Sequence, residues 1–552
     1  MNKMSFRLLS MVGVLCLSSA CQAHNTRSGE HVPNRHVESS QQWFQQGRRK
    51  ARELSSHAGY PYTGRNIVLF IGDGMSISTI TAARILAGQQ RGSFGEEYRL
   101  RFEQFPHTAF SKTYNTNQQT PDSAGTMTAM MTGIKTKAGV IAMDGDVLLG
   151  DCESGKGHEI PTLLERAETI GMSTGIVTTA RLTHATPAAT YAHAVMRDWE
   201  NDANIPVSER AKGCADIARQ LIEFPFGDGL EVAMGGGRQN FLPREMADPE
   251  YSDKHGARLD GRNLMAEWRE KKPQAAVVWN KKQFDAVDPK NTRHLLGLFE
   301  TSHMHYEHDR DNDAAGEPSL SDMAAKALDI LQARGKPFFL MVEAGRIDHA
   351  HHAGNAYRAL ADTIELDRAV QVVLDKVDLN NTLVIVTADH SHTFTIAGYP
   401  KRGNPILGKV MPNDKQGLPT HTLVRDAQGK PYTTLGYQNG PGYVNGDQRP
   451  DLTHVDTTAP DYRQAAAIPL RSETHSGEDV GVFATGAGSH AVRGVFEQNV
   501  LYHLMQNSVP LIQAVDAQLE LLYGQHSLPA LRALDRRIKT GQLPAAEKNA
   551  DL

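Results

Sequence analysis

Residues 66–75, NIVLFIGDGM, combine an apolar, β-branched run with an abrupt Gly-Asp-Gly end. Three later segments have the same form and also end in polar residues. Runs of this kind are typical of buried strands whose C-terminal ends carry polar side chains. The later segments are 175–179 (GIVTT, before Arg181 and His184), 337–342 (PFFLMV, before Glu343) and 382–387 (TLVIVT, before Asp389 and His390).

Helical patterns lie between these runs, at 161–170, 320–333 and 357–377. Alternating strands and helices predict an α/β fold with a doubly wound, largely parallel central sheet flanked by helices. Ligands then bind beyond the carboxyl ends of the strands.

Two regions interrupt the alternation, at about 241–313 and 398–453. The second is dense in Gly, Pro and Asn, which favours a loop-rich, crown-like insertion with short strands. We expect one catalytic domain over 24–515 that contains both insertions, and a peripheral helical tail over 516–552.

The composition is that of an ordinary globular protein, with 552 residues, 40% hydrophobic residues, 22% charged residues and a formal net charge of -5. No concentrated basic stripe is present. The sequence therefore predicts no nucleic-acid partner and no anionic membrane partner.

Residues 1–23 have the pattern of a secretory signal peptide: Lys3 and Arg7 precede an apolar run at 8–17, and small residues follow. This predicts an exported protein, periplasmic or secreted. Cys21 follows LSSA and is a candidate lipid-anchor site, but Leu17 lies one position further from it than a good lipidation motif would place it. Lipidation is therefore left open.

Cys152 and Cys214 are the only cysteines well inside the exported chain. In an oxidising compartment such an isolated pair favours a disulfide over two free thiols.

The densest cluster of potential ligands is 343–352, EAGRIDHAHH, directly after a predicted strand. Asp348 lies four residues before His352, so a helix would place both on one face. Carboxylate oxygen and imidazole nitrogen are suitable zinc donors, which predicts a metal site. A solvated polar loop is the alternative, but three histidines and two acids in ten residues disfavour it.

Other strand ends supply weaker candidates. Asp389 and His390 repeat the acid and imidazole pairing, whereas Asp73 between two glycines is typical of a turn residue when taken alone. His475 precedes another apolar run and, alone, is more typical of a surface histidine. Their common position at strand ends makes metal ligation the favoured interpretation for the set.

Ser123 stands in TPDSAGTMTAMMTGIK, at 120–135, and allows two interpretations. It can begin a helix, with Asp122 or Ser123 as the cap. It can also be a nucleophile, but a serine hydroxyl needs a base or a metal for activation. No convincing GxSxG motif is present, so metal activation is the remaining route.

Six motifs in this order resemble the alkaline phosphatases over about 66–501: NIVLFIGDGM, TPDSAGTMTAMMTG, THATPAATYAHAVMRDW, EAGRIDHAHH, TADHSHTF and ETHSGEDVGVFATG. The resemblance implies hydrolysis of phosphate monoesters to an alcohol and inorganic phosphate through a covalent phosphoserine. It implies Ser123 as the nucleophile and Arg197 as a bidentate clamp on the phosphate.

The resemblance also implies two zinc ions and one magnesium ion. His184 and His349 stand at positions that vary within the family. We expect them near the magnesium and the phosphate, where they would support the ligands and not bind the metal themselves. Because histidine offers no carboxylate there, magnesium or zinc in the third site stays open. The implied ligands are Asp348, His352 and His475 for one zinc, Asp73, Asp389 and His390 for the other, and Asp73, Thr186 and Glu343 for magnesium.

A calcium site is also implied, by similarity of GLFETSHMHYEHDRD and DPEYSD to animal members of the family. Its ligands would be Glu250, the carbonyl of Phe299, Glu300 and Asp311, an oxygen set that suits Ca²⁺. A solvated acidic loop is the alternative. The same resemblance supports the disulfide between Cys152 and Cys214. It further implies a homodimer with 398–453 near the interface, although monomeric members of the family leave this open.

Two other functions remain as alternatives. One is a phosphodiesterase or sulfatase on the same scaffold, but PDSAG lacks the CxPxR-like motif of a sulfatase. The other is a noncatalytic export protein that binds metal or phosphate, which would need neither Ser123 nor Arg197.

Overall fold

The run at the start of the NIVLFIGDGM motif forms a central strand of a ten-stranded sheet in the computed structural model. The structure describes residues 38–56, 64–445 and 448–543, so the predicted signal peptide and Cys21 lie outside the described residues. The strands are β1 Asn66–Gly72, β2 His107–Lys112, β3 Ser173–Arg181, β4 Val232–Gly236, β5 Ala275–Val278, β6 His294–Leu298, β7 Phe338–Ala344, β8 Thr382–Ala388, β9 Ser391–His392, β10 Phe394–Ile396, β11 Leu435–Gly440, β12 Ala466–Pro469, β13 His475–Ser476, β14 Val480–Gly486 and β15 Gly494–Glu497.

The helices at 161–170, 320–333 and 357–377 are confirmed to within two residues at each end. The helices are α1 Ser40–Ser56, α2 Ile77–Gln89, α3 Ser123–Thr132, α4 Leu163–Thr169, α5 Ala185–Tyr191, α6 Val207–Arg210, α7 Ile217–Ile222, α8 Leu264–Lys271, α9 Lys281–Asp285, α10 Leu320–Gln332, α11 Arg346–His352, α12 Ala356–Lys376, α13 Val500–Ser508, α14 Pro510–Tyr523 and α15 Leu528–Lys539.

The strand order of the large sheet is β15-β2-β14-β8-β1-β7-β3-β4-β6-β5. Among the described strands of this sheet, only the pairs made by β14 are antiparallel. The prediction of a largely parallel α/β sheet is therefore confirmed.

Both faces of the central strands are buried, which explains why β1, β7 and β8 are continuously apolar. Ile67, Leu69 and Ile71 of β1 belong to one hydrophobic core and Val68 and Phe70 to a second. Helices α4, α5 and α13 contribute to the first core, and α2, α10 and α12 to the second. Such double cover is expected of parallel strands that helices connect.

The two interrupting regions differ in how they relate to the sheet. Region 241–313 contains β5 and β6, which extend one edge of the large sheet. Within 398–453 lies β11, which pairs with β10 and β12 in a separate three-stranded sheet.

The C-terminal region is helical, and α14 crosses the boundary predicted at residue 515. Its residues Ile512, Val515 and Leu519 are buried in the same core as α4 and α13. The division of the chain into domains stays a prediction.

The disulfide between Cys152 and Cys214 is present, which confirms the prediction for this pair. No helix in the described part of the chain is long and apolar enough to cross a membrane.

Candidate active site

The polar residues that follow four adjacent strands meet at the carboxyl edge of the sheet. Asp73 directly follows β1, Asp389 directly follows β8, and Glu343 is the penultimate residue of β7. His184 and Thr186 come after β3, at the start of α5. Because β8, β1, β7 and β3 are consecutive and parallel, their ends bring these side chains together.

Asp348, His352 and His475 form the first ligand set. Helix α11 places Asp348 one turn before His352, and His475 comes from the short strand β13. Asp348 Oδ1 lies 3.3 Å from Nε2 of each histidine, and the two Nε2 atoms are 3.1 Å apart. Tetrahedral zinc with bonds of about 2.0–2.1 Å has donors about 3.3 Å apart, so the set fits zinc.

The other ring nitrogen of each histidine fixes its orientation. Nδ1 of His352 donates to the carbonyl of Glu473, and Nδ1 of His475 donates to the carbonyl of Pro121 at 2.8 Å. A carbonyl only accepts, so Nδ1 carries the proton and the Nε2 lone pair faces Asp348. This is the arrangement usual for histidines that bind a metal.

Asp73, Asp389 and His390 form the second ligand set and are fully buried. Nε2 of His390 lies 3.5 Å from Asp73 Oδ1 and 3.2 Å from Asp389 Oδ2. Both carboxylate oxygens of Asp73, and Oδ2 of Asp389, have no hydrogen-bond partner among the described residues. Buried oxygens without partners are costly unless a cation compensates them.

The third set shares Asp73 with the second and adds Glu343 and His184. The carboxylate Oε1 of Glu343 and the hydroxyl of Thr186 are buried without a hydrogen-bond partner in the described chain. Oε2 of Glu343 accepts a hydrogen bond of 2.5 Å from Thr178.

Crowding of carboxylates shapes the electrostatics of these sets. Burial, followed by the charges of Asp389, Asp348 and Glu343, raises the pKa of Asp73 well above its usual value. Burial likewise raises the pKa of Glu343 to about 8. Divalent cations would remove the repulsion that disfavours ionisation of these acids.

Ser123 is the first residue of α3, and Asp122 is the N-cap. Oδ1 of Asp122 accepts from the backbone N–H of Gly125 at 3.0 Å, which settles the choice between the two capping interpretations. Ser123 is 2% exposed, and its Oγ lies 3.1 Å from Nε2 of His390. The hydroxyl therefore lies at the N-terminus of a helix and beside the second ligand set.

Arg197 approaches the same place from the loop after α5. Its Nη1 lies 3.0 Å from Asp122 Oδ2, and its Nη2 lies 3.1 Å from His184 Nε2. These two contacts hold the planar guanidinium beside the start of α3.

The family model described as alkaline phosphatase matches residues 64–511. The tissue-nonspecific alkaline phosphatase of Gallus gallus is 43% identical over 507 residues, which are 90% of this chain and 92% of the relative. The human tissue-nonspecific isozyme is 44% identical over 448 residues, which are 80% of this chain and 83% of the relative. The chain belongs to the alkaline phosphatase family. It is a phosphoric monoester hydrolase.

Solved alkaline phosphatases share the fold. The enzyme of Thermus thermophilus superposes with a TM-score of 0.58 at 25% identity, over 82% of this chain and 92% of that one. The enzyme of the Antarctic bacterium TAB5 superposes with a TM-score of 0.55 at 23% identity, over 81% of this chain and 99% of that one.

His184 and His349 lie next to each other in this alkaline phosphatase, with ring centroids 5.5 Å apart. His303, which the motifs did not single out, lies 4.0 Å from the ring of His349. Both ring nitrogens of His303 contact Arg181, and Arg181 pairs with Glu200 at 2.6 Å. Burial is the main reason why the pKa of His349 falls to about 3.

His392 is a second residue that sequence reasoning missed. Its Nε2 lies 2.7 Å from Asp348 Oδ1 and its Nδ1 lies 2.6 Å from Glu473 Oε2. Burial alone would lower the pKa of His392, but the two carboxylates raise it to about 10. The sequence TADHSHTF contained a signal for His392. In an extended segment, residues two apart point to the same face, so His392 lies on the same face as the ligand His390.

The acidic cluster expected to bind calcium contains a different aspartate from the one predicted. The side chain of Asp311 is 93% exposed and lies 3.5 Å from Arg310, so Asp311 does not join the cluster. Asp313 interacts with Glu250, Glu317 and Glu300, and the side chains of Glu300 and Glu317 lie close together. Atoms of this cluster without a hydrogen-bond partner among the described residues are Glu250 Oε1, both carboxylate oxygens of Asp313, Glu317 Oε2 and His305 Nδ1.

Proposed function

We propose that the chain hydrolyses phosphate monoesters through a covalent phosphoserine at Ser123. The observation that carries the proposal is the position of Ser123 Oγ, at the start of α3 and 3.1 Å from His390 in the second ligand set. If Nε2 of His390 binds a metal, it cannot also act as a general base, and the buried hydroxyl would then need the metal for its activation.

Two zinc ions would be held by the first and second ligand sets, and one magnesium ion by the third. The donor atoms, their spacing and their missing hydrogen bonds support this assignment. When bound, the metal pair supplies charge stabilisation for the attacking and departing oxygens of phosphoryl transfer.

The chain's own groups bind and orient the phosphate. The N-terminus of α3 favours an anion beside Ser123. Arg197 offers two N–H donors in a planar fork, which suits two phosphate oxygens. Asp122 both caps α3 and contacts Arg197, so it fixes the nucleophile relative to the clamp.

The third metal is where this chain leaves a choice. A structure of a TAB5 alkaline phosphatase variant is described as having Mg bound in the M3 site. In this chain His184 joins Asp73 and Glu343, which adds an imidazole nitrogen to an oxygen set. Mg²⁺ prefers oxygen ligands, whereas zinc accepts both, so metal analysis must decide between them.

Calcium is proposed at the acidic cluster, with Glu250, Glu300, Glu317, Asp313 and the carbonyl of Phe299 as the oxygen donors. Burial and the neighbouring carboxylates raise the pKa of Asp313 to about 7, which a bound cation would reverse.

Export, to the periplasm or the medium, is proposed from the N-terminal 23 residues and the disulfide. A homodimer and a lipid anchor at Cys21 remain proposals that rest on the family resemblance and on the sequence around Cys21. Mass spectrometry of the mature N-terminus and light scattering of the purified protein test them.

The central experiment uses the purified chain with p-nitrophenyl phosphate. Zinc chelation should abolish turnover and added zinc should restore it. Ser123→Ala should lower kcat by about 10⁴-fold or more while the zinc content stays unchanged. Acid-quenched enzyme exposed to inorganic phosphate should carry phosphate on the Ser123 peptide.

Ser489→Ala is the matched control, because it also removes a buried hydroxyl, one that donates only to the carbonyl of Gly486 among the described contacts. Retention of wild-type activity by Ser123→Ala would show that the mechanism is wrong. Turnover of a diester or a sulfate ester above that of the monoester would favour the alternative enzymes.

A further inference from the structure

Glu473 is a buried carboxylate next to the first ligand set, and the motifs gave it no role. It is 1% exposed and lies two residues before His475. Both of its side-chain oxygens have partners. Oε1 accepts from the N–H and the hydroxyl of Thr393, each at 2.7 Å, and Oε2 accepts from Nδ1 of His392 at 2.6 Å.

His392 links Glu473 to Asp348, which belongs to the first ligand set. Its second ring nitrogen, Nε2, lies 2.7 Å from Asp348 Oδ1. The side chains therefore form a buried chain from Thr393 through Glu473 and His392 to Asp348. Because Glu473 is fixed at both oxygens, it fixes the imidazole ring that orients Asp348.

The backbone of Glu473 reaches the other two members of the set. Its N–H donates to the carbonyl of His352 at 3.0 Å, and its carbonyl accepts from Nδ1 of His352. The chain then enters β13, where His475 pairs directly with His392 of β9. One residue is thus linked to Asp348, His352 and His475 by separate routes.

The second ligand set has no such link. Among the described residues, Glu473 makes no hydrogen bond with Asp73, Asp389 or His390. The two sets therefore differ in how their ligands are held in place.

We propose that Glu473 is a positioning residue that retains the metal of the Asp348, His352 and His475 set and not that of the Asp73, Asp389 and His390 set. The inference rests on the proposed function, since it assumes zinc in both sets. Partners of metal ligands typically contribute about 10–100-fold to metal affinity.

Glu473→Gln is the sharpest variant because it keeps the shape but replaces one acceptor by a donor. The new amide N–H₂ must face either the two donors of Thr393 or the N–H of His392. Facing Thr393, the amide N–H₂ opposes the backbone N–H; facing His392, it is accepted by Nδ1 only when the imidazole is neutral. In either case the charge-assisted hydrogen bond between the Glu473 carboxylate and His392 is lost, so the ring is held less firmly.

The experiment measures zinc release from the zinc-loaded protein into excess chromogenic chelator. We expect Glu473→Gln to accelerate release of one zinc ion about tenfold or more and to leave the other within about twofold of wild type. Variants of the ligands identify the phases: His352→Ala should lack the accelerated phase, and His390→Ala the unaffected one.

Glu478→Gln is the control. Oε2 of Glu478 accepts from the hydroxyls of Ser391 and Ser476, the other paired residues of β9 and β13, without touching a ligand. It should change neither phase by more than about twofold. Equal acceleration of the release of both zinc ions, or the same change in both variants, would overturn the proposal. It would show that Glu473 only stabilises the β9 and β13 pair in general.

Thr393→Val is the second variant, in case Glu473→Gln does not fold. It removes one donor to Glu473 and should accelerate the same phase about two- to fivefold. An unchanged rate in either folded variant contradicts the inference. If the wild-type protein binds no zinc, the proposed function fails; if it binds zinc in two phases that the variants leave alone, only this inference fails.

Discussion

Carboxylates are buried at both ends of the parallel strands, which we call the carboxyl edge and the amino edge of the central sheet. The partners of these carboxylates differ between the two. At the carboxyl edge, Asp73 and Asp389 face imidazole nitrogens and keep oxygens without hydrogen bonds. At the amino edge, Thr174 of β3 donates its hydroxyl to Glu168 at 2.5 Å and its N–H to Glu231 at 2.7 Å.

The difference shows two ways of burying acids in one fold. Histidine lone pairs at the carboxyl edge complete sites for cations, so ionised acids are stable there once metal is bound. At the amino edge, burial, followed by the charge of Asp228, raises the pKa of Glu231 to about 7, so this acid holds a proton in weakly acidic solution. At the carboxyl ends of the strands bound cations would stabilise the buried charge, whereas at the amino ends a proton neutralises it.

The largest expected effect is on activity, and it compares an acid at the carboxyl edge with an acid at the amino edge. Asp73→Asn should lower kcat for p-nitrophenyl phosphate by about 10³-fold or more, because Asp73 belongs to two ligand sets. Glu231→Gln replaces a buried acid at the amino edge, and its kcat should stay within about twofold of wild type. Metal analysis of both proteins checks the cause, and an active Asp73→Asn would break the comparison.

The second effect is on stability. The folded-state pKa of Glu231, about 7, lies above the ordinary glutamate value of 4.5. The contribution of the protonated acid is therefore fully present below about pH 4.5 and is lost as pH rises to about 7. From pH 5 to 8, wild type should lose about 1–3 kcal/mol of unfolding free energy relative to Glu231→Gln.

Urea unfolding of both proteins at several pH values measures this difference. The metal ligands titrate in both proteins, so their contribution cancels in the comparison. Parallel curves for wild type and variant would show that Glu231 is ionised in the folded protein throughout.

The smallest effect concerns the acidic cluster expected to bind calcium, which contains Glu250 and Glu300. Glu317→Gln should weaken calcium binding about tenfold or more, because it removes a charged oxygen from the cluster. Asp311→Asn should leave binding unchanged, since its side chain is 93% exposed. Calcium titration of the protein after treatment with a calcium chelator compares them, and the reverse order would restore the ligand set predicted from the sequence.

Much of the fold and of the site followed from two regular patterns. Buried parallel strands are continuously apolar, so β1, β7 and β8 were recognisable, and their polar ends had to meet. The helical spacing of Asp348 and His352 in the sequence is sufficient to place both side chains on one face of α11.

The remainder depended on contacts that no local pattern carries. Glu473 and His392 meet only because β9 and β13 pair, although they are 81 residues apart. Acids and histidines are scattered through 305–317 without a regular spacing. The sequence therefore gives no way to decide whether Asp311, Asp313 or Glu317 belongs to the calcium site. The edge strand β5 and its neighbour β6 are short and lie in a polar region of the sequence, so they were assigned to an insertion.

The disulfide has a consequence for where the protein can be produced. It joins residues 62 apart and encloses the segment that carries His184, Thr186 and Arg197. Closing a loop of that length removes unfolded-chain entropy equivalent to about 4 kcal/mol. In a reducing cytosol the chain lacks this stabilisation, so recombinant yield should be higher from an oxidising compartment, where a single covalent bond restrains the whole segment.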